Sequence, residues 1–127
     1  APTPDATEWP QRIASIPGLD IERGLALVRG NAAKHARMLA LFADTHAQDA
    51  ARLSTGLASN DLATLKELAH TLKGSAGNLG ATSVFDAAVA LHSALRSSSG
   101  REEIDAHCAT LIAELTPLIE RIRHLPM

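Results

Sequence analysis

Leucine, isoleucine and alanine recur at intervals of three and four residues along most of the 127-residue chain. In the region 62–79, for example, Leu65, Leu68, Leu72 and Leu79 fall on one side of a helix. Strand-like alternation is absent, and aromatic residues make up only 2% of the sequence. Alanine and leucine favour helices, whereas β-branched and aromatic residues, which favour strands, are rarely grouped. The pattern therefore predicts an all-α fold.

Capping residues and turn residues divide the chain into two short and four long helices. Asp20 and Asn31 occupy N-cap positions, Asn60 or Asp61 begins a further helix, and Pro117 predicts a kink or a local break in the last one. The predicted segments are residues 9–15, 21–29, 32–57, 62–79, 82–97 (capped by Thr82 or Ser83) and 101–123. Short connections between amphipathic helices predict an antiparallel up-down-up-down four-helix bundle, with the short N-terminal helices packed across one end.

Charge and composition exclude several classes of function. A net charge of −2, without a basic stripe, argues against nucleic-acid binding. The single cysteine, Cys108, excludes an internal disulfide and a CxxC motif. No apolar run approaches the roughly 20 residues that span a bilayer, so we expect a cytoplasmic protein without direct membrane contact. Residues 1–8 have the composition of a linker or flexible tail, which leaves 9–127 as the domain and suggests a piece of a longer protein.

The helix predicted over residues 62–79 contains two interior glycines, although each costs about 1 kcal/mol relative to alanine. On a helical wheel, His70 and Gly74 lie opposite the apolar arc, and Gly77 joins them on the outside. Lys66 and Lys73 lie beside the histidine. The glycines would give a large partner close access to His70, and the lysines favour an anionic group there. A packing role against a short N-terminal helix is the alternative.

The chemistry of this face favours phosphoryl transfer. A neutral histidine is a competent nucleophile, and the ordinary pKa of its ring, about 6.5, keeps it mostly neutral at cellular pH. Lys73 would neutralise charge on the phosphoryl oxygens. No nucleotide-binding loop of the P-loop type occurs, so the phosphoryl group must come from another protein. Glu67 and His70 have the spacing of a di-iron ligand pair, but the second pair is missing and we expect no metal.

The stretch HTLKGSAGNLGA, residues 70–81, closely resembles the signature helix of histidine-containing phosphotransfer (HPt) domains. The segment GLDIERGLALVRGNAAKHARMLALF is similar to the lead-in of HPt domains at the C-terminus of bacterial hybrid sensor histidine kinases. The resemblance extends from about Ile16 to Leu95. It implies a four-helix-bundle carrier in which His70 accepts the phosphoryl group, Lys73 is its charge partner and Gly74 gives room to the partner.

Further residues receive roles from the same resemblance. Gly77, Lys66, Thr71 and His92 are assigned to partner access and docking. His92 replaces a residue that is more often Glu or Gln; it would either hydrogen-bond the phosphohistidine or lie at the helix interface. His35 stands where such domains often carry tyrosine, and the wheel places it inward as a packing residue.

The resemblance also implies a function and partners. We expect a phosphorelay intermediate that accepts a phosphoryl group from a receiver-domain aspartyl phosphate and passes it to a response-regulator aspartate. It would have no autonomous kinase activity and no cofactor of its own, since the partner receiver supplies Mg²⁺. We expect a monomer, at the cytoplasmic end of a membrane-bound sensor kinase if the domain is tethered to one. The alternative is a helical adaptor that binds a receiver or kinase domain without carrying phosphate.

Overall fold

The computed structural model describes residues 8–14 and 16–125, which form seven helices. They are α1 (Trp9–Ile13), α2 (Ile21–Leu27), α3 (Ala32–Thr45), α4 (Asp49–Ala58), α5 (Leu62–Gly77), α6 (Thr82–Arg96) and α7 (Arg101–Arg123). These ranges contain no strand, so the predicted all-α class is confirmed. The linker predicted over residues 1–8 lies outside the described residues except for its last one. None of the described helices combines the length and the apolar character needed to cross a membrane.

One predicted helix is wrong: residues 32–57 form two helices, with a break at 46–48. The His46 Nδ1–H group donates to Asp49 Oδ2 at 2.6 Å, and both residues are buried. The His46 ring also packs on Phe42, with 4.7 Å between the ring centroids. A buried side-chain bond between positions 46 and 49 thus stabilises the local departure from the helix.

Most of the predicted helix ends agree with the structure. The side chains of Asp20, Asn31 and Asp61 each accept a hydrogen bond from the backbone N–H three residues later. The predicted cap of α6 is wrong, because its N-cap is Ala81. Thr82 belongs to the helix and its hydroxyl donates to the Gly18 carbonyl at 3.3 Å. The last helix continues through Pro117 without the predicted break.

The long helices form a closed ring of neighbours. α5 packs between α4 and α6, while α7 packs against α6 on one side and against α3 and α4 on the other. α5 runs antiparallel to α6, since Gly77 near its end lies at Phe85 near the start of α6, and His70 lies opposite His92 further along. Leucines from all the long helices fill the interior, among them Leu39, Leu53, Leu65, Leu91 and Leu111.

The N-terminal segment closes the end of the bundle where α5 stops. Gly80 has a φ of +79°, and a Cβ there would lie 2.6 Å from the Asp20 carbonyl oxygen and 2.8 Å from the Gly24 nitrogen. A side chain is therefore excluded twice, by backbone conformation and by the close approach of α2. The Asp20 N–H donates to the Gly80 carbonyl at 2.7 Å, which joins the two segments directly.

His35 of α3 joins α1 and the turn that follows α5 in the interior. The Trp9 Nε1–H group donates to His35 Nδ1 at 2.8 Å, so the proton of the neutral ring resides on Nε2. Nε2–H then donates to the Leu79 carbonyl at 3.2 Å. The side chain has no exposed surface, as the prediction of an inward packing residue requires. Both ring nitrogens are satisfied only while the ring is neutral.

Because of this arrangement, we predict that the protein loses stability in mild acid. Burial lowers the pKa of His35, and the hydrogen bond to Leu79 opposes that effect only in part. In the unfolded chain the ring has its ordinary pKa, about 6.5. Below that pH the unfolded state binds a proton that the folded state does not, so stability falls as the pH falls. The expected loss from this residue is on the order of 1 kcal/mol from about pH 7.5 to about pH 5.5.

Urea unfolding at both pH values, for the wild type and for His35→Gln, measures this contribution. Glutamine can accept and donate hydrogen bonds but does not titrate in this range. We expect a smaller pH dependence of the free energy of unfolding in the variant. Equal pH dependence in both proteins would show that His35 is not the titrating group.

Candidate functional site

The rotation of α5 is determined by the residues that it buries. Leu65, Leu68, Ala69, Leu72 and Ala76 are each at most 3% exposed and form the inner side of the helix. His70 and Gly74 lie on the opposite side and are exposed, as the helical wheel predicts. The hydrophobic contacts of α5 thus present the imidazole of His70 to solvent.

The two interior glycines of α5 have different surroundings. A Cβ placed on Gly74 would have no atom within 4 Å, so this position is open surface one turn beyond His70. A Cβ on Gly77 would lie 3.4 Å from two ring carbons of Phe85 on α6, and Gly77 is half-buried. The prediction that Gly77 joins Gly74 on the open outer face is therefore wrong. The alternative of packing applies to Gly77 alone, and its neighbour is α6 instead of an N-terminal helix.

His70 has a second histidine beside it. The ring centroids of His70 and His92 are 5.5 Å apart and the ring planes are inclined by 38°. His92 is half-buried where α5 and α6 meet, while His70 is exposed. Two roles were considered for His92: a hydrogen bond to phosphohistidine and a place at the helix interface. The two are compatible, because the ring lies at the interface of α5 and α6 and also close to the His70 ring.

A polar cleft adjoins this pair of histidines. We call it the cationic cleft; it is lined by Lys73, Val89, His92, Ser93, Arg96 and Ser97. Lys73 of α5 reaches it from one side, and His92 and Arg96 of α6 from the other. Among the described residues, no carboxylate forms an ion pair with Lys73 or Arg96. The cleft therefore carries uncompensated positive charge beside His70.

The charge of the cleft acts on His92. Its pKa is lowered, first by burial and then by repulsion from Lys73, His70, Arg96 and Lys66. All these influences disfavour a proton on the ring. The His92 ring is thus neutral at neutral pH and can donate one hydrogen bond and accept another.

Arg96 is the residue of this site that sequence reasoning missed. It lies four residues after His92, and positions four apart share one face of a helix. That spacing was the signal available in the sequence. The spacing between His92 and Arg96 is informative only when α6 is known to present His92 toward His70. Without that knowledge, an arginine at the end of a helix is ordinarily interpreted as a solubilising residue.

The remaining predicted site residues surround His70 on the outer face of α5. Lys66 and Thr71 are exposed and lie within one turn of it, and Lys66 also acts electrostatically on His92. Two other histidines, His35 and His46, are buried elsewhere. Within residues 8–14 and 16–125, no group of three or more His, Cys, Asp or Glu side chains is arranged to hold a metal ion.

A shallow apolar groove lies on the other flank of α5. It is lined by Met38, Leu41, Phe42, Thr45 and His46 on the α3 side and by Ser75, Asn78 and Leu79 on the α5 side. Leu41 is 66% exposed, which is more than any other large hydrophobic residue that the structure describes. The outer face of α5 is thus bordered by a cationic cleft toward α6 and an apolar groove toward α3.

The described helices thus display an exposed histidine beside lysine and arginine side chains on an open helix face. The family model of the Hpt domain matches residues 37–124, which is more than half of the chain. The chain therefore belongs to the Hpt domain family. No curated protein and no solved structure matches its sequence.

The family match carries a general function. Hpt domains perform histidine phosphotransfer in two-component signalling and interact with receiver-type partners. The matched range includes α7, which the resemblance of the sequence did not reach, and begins after His35. It contains α5, α6 and the cationic cleft in full.

The contrast between the glycines gives a prediction about stability. We expect Gly74→Leu to keep or raise the free energy of unfolding, because leucine has the higher helix propensity and meets no neighbour. Gly77→Leu should be less stable than Gly74→Leu by about 1 kcal/mol or more, since its side chain must displace Phe85. Urea unfolding of the two variants tests this, and equal stabilities would contradict the different surroundings described for the two positions.

Proposed function

We propose that His70 is the phosphoryl acceptor, which takes the group from an aspartyl phosphate of one receiver domain and passes it to an aspartate of another. The unprotonated ring nitrogen of neutral His70 attacks phosphorus. An N–P bond forms, the P–O bond to the aspartate breaks, and the aspartate leaves as a carboxylate with that electron pair. The proton on the other ring nitrogen of His70 is retained during the transfer, so charge balances. The second transfer reverses these steps on a new carboxylate.

The observation that carries this proposal is the open surface at His70 and Gly74 in a chain of the Hpt family. In-line attack on an aspartyl phosphate requires that the active-site loops of a receiver approach the imidazole closely. A side chain at position 74 would stand between the two proteins. The loss of helix propensity at Gly74, about 1 kcal/mol, has no packing function that would explain it.

Lys73 supplies the principal positive charge for the phosphoryl group in this proposal. It follows His70 by three residues on α5 and lines the cationic cleft. Charge that spreads over the phosphoryl oxygens during transfer is stabilised by such a fixed cation. Arg96 lines the same cleft and adds to the positive potential there.

The docking surface would comprise the exposed faces of α5 and α6 around His70, together with the apolar groove of α3. Lys66 and Thr71 lie within this surface, and the exposed side chain of Leu41 would contact the receiver on the α3 side. A transient signalling contact must release its partner, so we expect a small interface of below about 1,200 Å².

The proposal extends to the cofactor, the oligomeric state and the parent protein of the domain. The receiver would bring Mg²⁺ and the carboxylates that bind it, whereas this chain would need no cofactor of its own. We propose that the domain acts as a monomer in the cytoplasm and is part of a hybrid sensor histidine kinase, without kinase activity of its own.

The proposal predicts label on one histidine. Candidate receivers carrying ³²P-aspartyl phosphate are mixed with the wild type and with His70→Gln, and with His107→Gln as a matched control on α7. We expect acid-labile, base-stable label on the wild type and on the control but none on His70→Gln. Label on His70→Gln would overturn the assignment. Failure of all receivers to label the wild type, with tight binding of one of them, would favour the non-phosphorylated adaptor.

A second prediction concerns the access of a receiver to His70 when the imidazole itself is unchanged. Gly74→Leu keeps His70 and Lys73, and we expect it to remain folded because a Cβ at position 74 has no neighbour within 4 Å. We expect it to reduce the rate of transfer from a phosphorylated receiver by about tenfold or more, since misplacement by about 1 Å can slow a positioned reaction greatly. Ala113→Leu, an exposed position on α7, is the control for an added apolar side chain. Normal transfer by Gly74→Leu would contradict the role of Gly74.

A further inference from the structure

His92 lies close enough to His70 to contact whatever group that ring carries. The ring centroids are 5.5 Å apart, and the His92 ring lines the cationic cleft. On the basis of the proposed function, we propose that His92 takes up a proton when His70 is phosphorylated and then donates a hydrogen bond to a phosphoryl oxygen. This proton uptake by His92 would therefore favour phosphoryl occupancy of His70 at lower pH.

Before phosphorylation, the surroundings of His92 oppose a proton. The groups that act on its ring are Lys66, His70 and Lys73 from α5 and Arg96 from its own helix, and none of them is a carboxylate. Partial burial acts in the same direction. The free protein thus keeps His92 neutral at neutral pH, so its ring is available to take a proton.

The phosphoryl group reverses this balance. It brings about two negative charges to His70 at neutral pH. An opposite charge within roughly 4–6 Å favours the charged form of an imidazole. The proton comes from solvent and binds to the free nitrogen of the His92 ring; no bond to phosphorus forms or breaks in this step. The resulting N–H⁺ group donates a charge-assisted hydrogen bond, which is stronger than a neutral one.

Proton uptake on phosphorylation sets the direction of the pH effect. A reaction that binds a proton is favoured at lower pH, so the equilibrium between a phosphorylated receiver and this domain would shift toward the domain. Other groups that titrate in this pH range contribute to the wild type and to a position-92 variant alike. The contribution of His92 is measured as the difference in the pH dependence of this transfer equilibrium between the wild type and a variant that cannot titrate at position 92.

The direct test follows the His92 ring by NMR. The carbon-bound ring protons are titrated in the free protein and after treatment with phosphoramidate, a small-molecule phosphoryl donor that needs no receiver. We expect the midpoint of the His92 titration to move upward by about one pH unit or more. A phosphorylated His70 with an unchanged His92 midpoint would overturn this inference and leave the proposed function standing. Absence of phosphoryl on His70 with phosphoramidate and with a phosphorylated receiver alike would overturn both.

The functional test compares transfer equilibria with a phosphorylated receiver at about pH 6 and about pH 8. His92→Gln keeps a hydrogen-bonding group at this position but cannot gain a charge. We expect the equilibrium ratio of phosphorylated to unphosphorylated domain to rise several-fold more from about pH 8 to about pH 6 in the wild type than in His92→Gln, because a shift of one pH unit in the His92 midpoint changes this ratio by up to about tenfold. His107→Gln, on α7, should behave as the wild type. Equal pH dependence of the wild type and His92→Gln would contradict the inference.

Discussion

Burial of one stripe of α5 is the interaction on which the site depends. Leu65, Leu68 and Leu72 each contribute about 2 kcal/mol through contacts with the surrounding helices. Rotating α5 by one residue would expose these side chains, so the helix has one stable orientation. His70 lies opposite this stripe and is held at the surface by the core and not by contacts of its own. The proposed nucleophile is thereby held in one place on the surface and is exposed to solvent.

The surface of the site combines two features that are unfavourable for folding. Gly74 lowers helix propensity, and Lys73 and Arg96 place positive charge together without a carboxylate partner among the described residues. Neither feature strengthens the bundle. In the proposed function both become favourable when a protein carrying a phosphoryl group approaches, because the glycine would leave room and the cations would attract the anion. The bundle supplies the stability that these features lack.

Sequence reasoning was accurate where one residue type implies one structure. Helix spacing predicted the all-α class, and Asp20 and Asn31 were identified as N-caps, with Asp61 one of two candidates for the next. The outward orientation of His70 and Gly74 followed from the wheel. These predictions depend on helical periodicity and capping residues, which can be read from each segment of the sequence without knowing which helices pack against it.

The errors concern side-chain contacts that helical periodicity does not reveal. The break at 46–48 contains no glycine or proline, and it is stabilised by a buried bond between His46 and Asp49 that periodicity does not reveal. The wheel placed Gly77 outside because it ignores α6, whose Phe85 covers that edge. Arg96 was missed for a similar reason, since its place in the cationic cleft depends on how α6 lies against α5.

The position of the phosphoryl group tests the central claim most directly. The domain, phosphorylated by a receiver, would be digested at alkaline pH, and its peptides sequenced by a mass-spectrometric fragmentation that retains N–P bonds. All six histidines can be distinguished in this way. The account predicts the phosphoryl group on His70 and on no other histidine. A phosphoryl group on His92 or any other residue, with His70 unmodified, would contradict it.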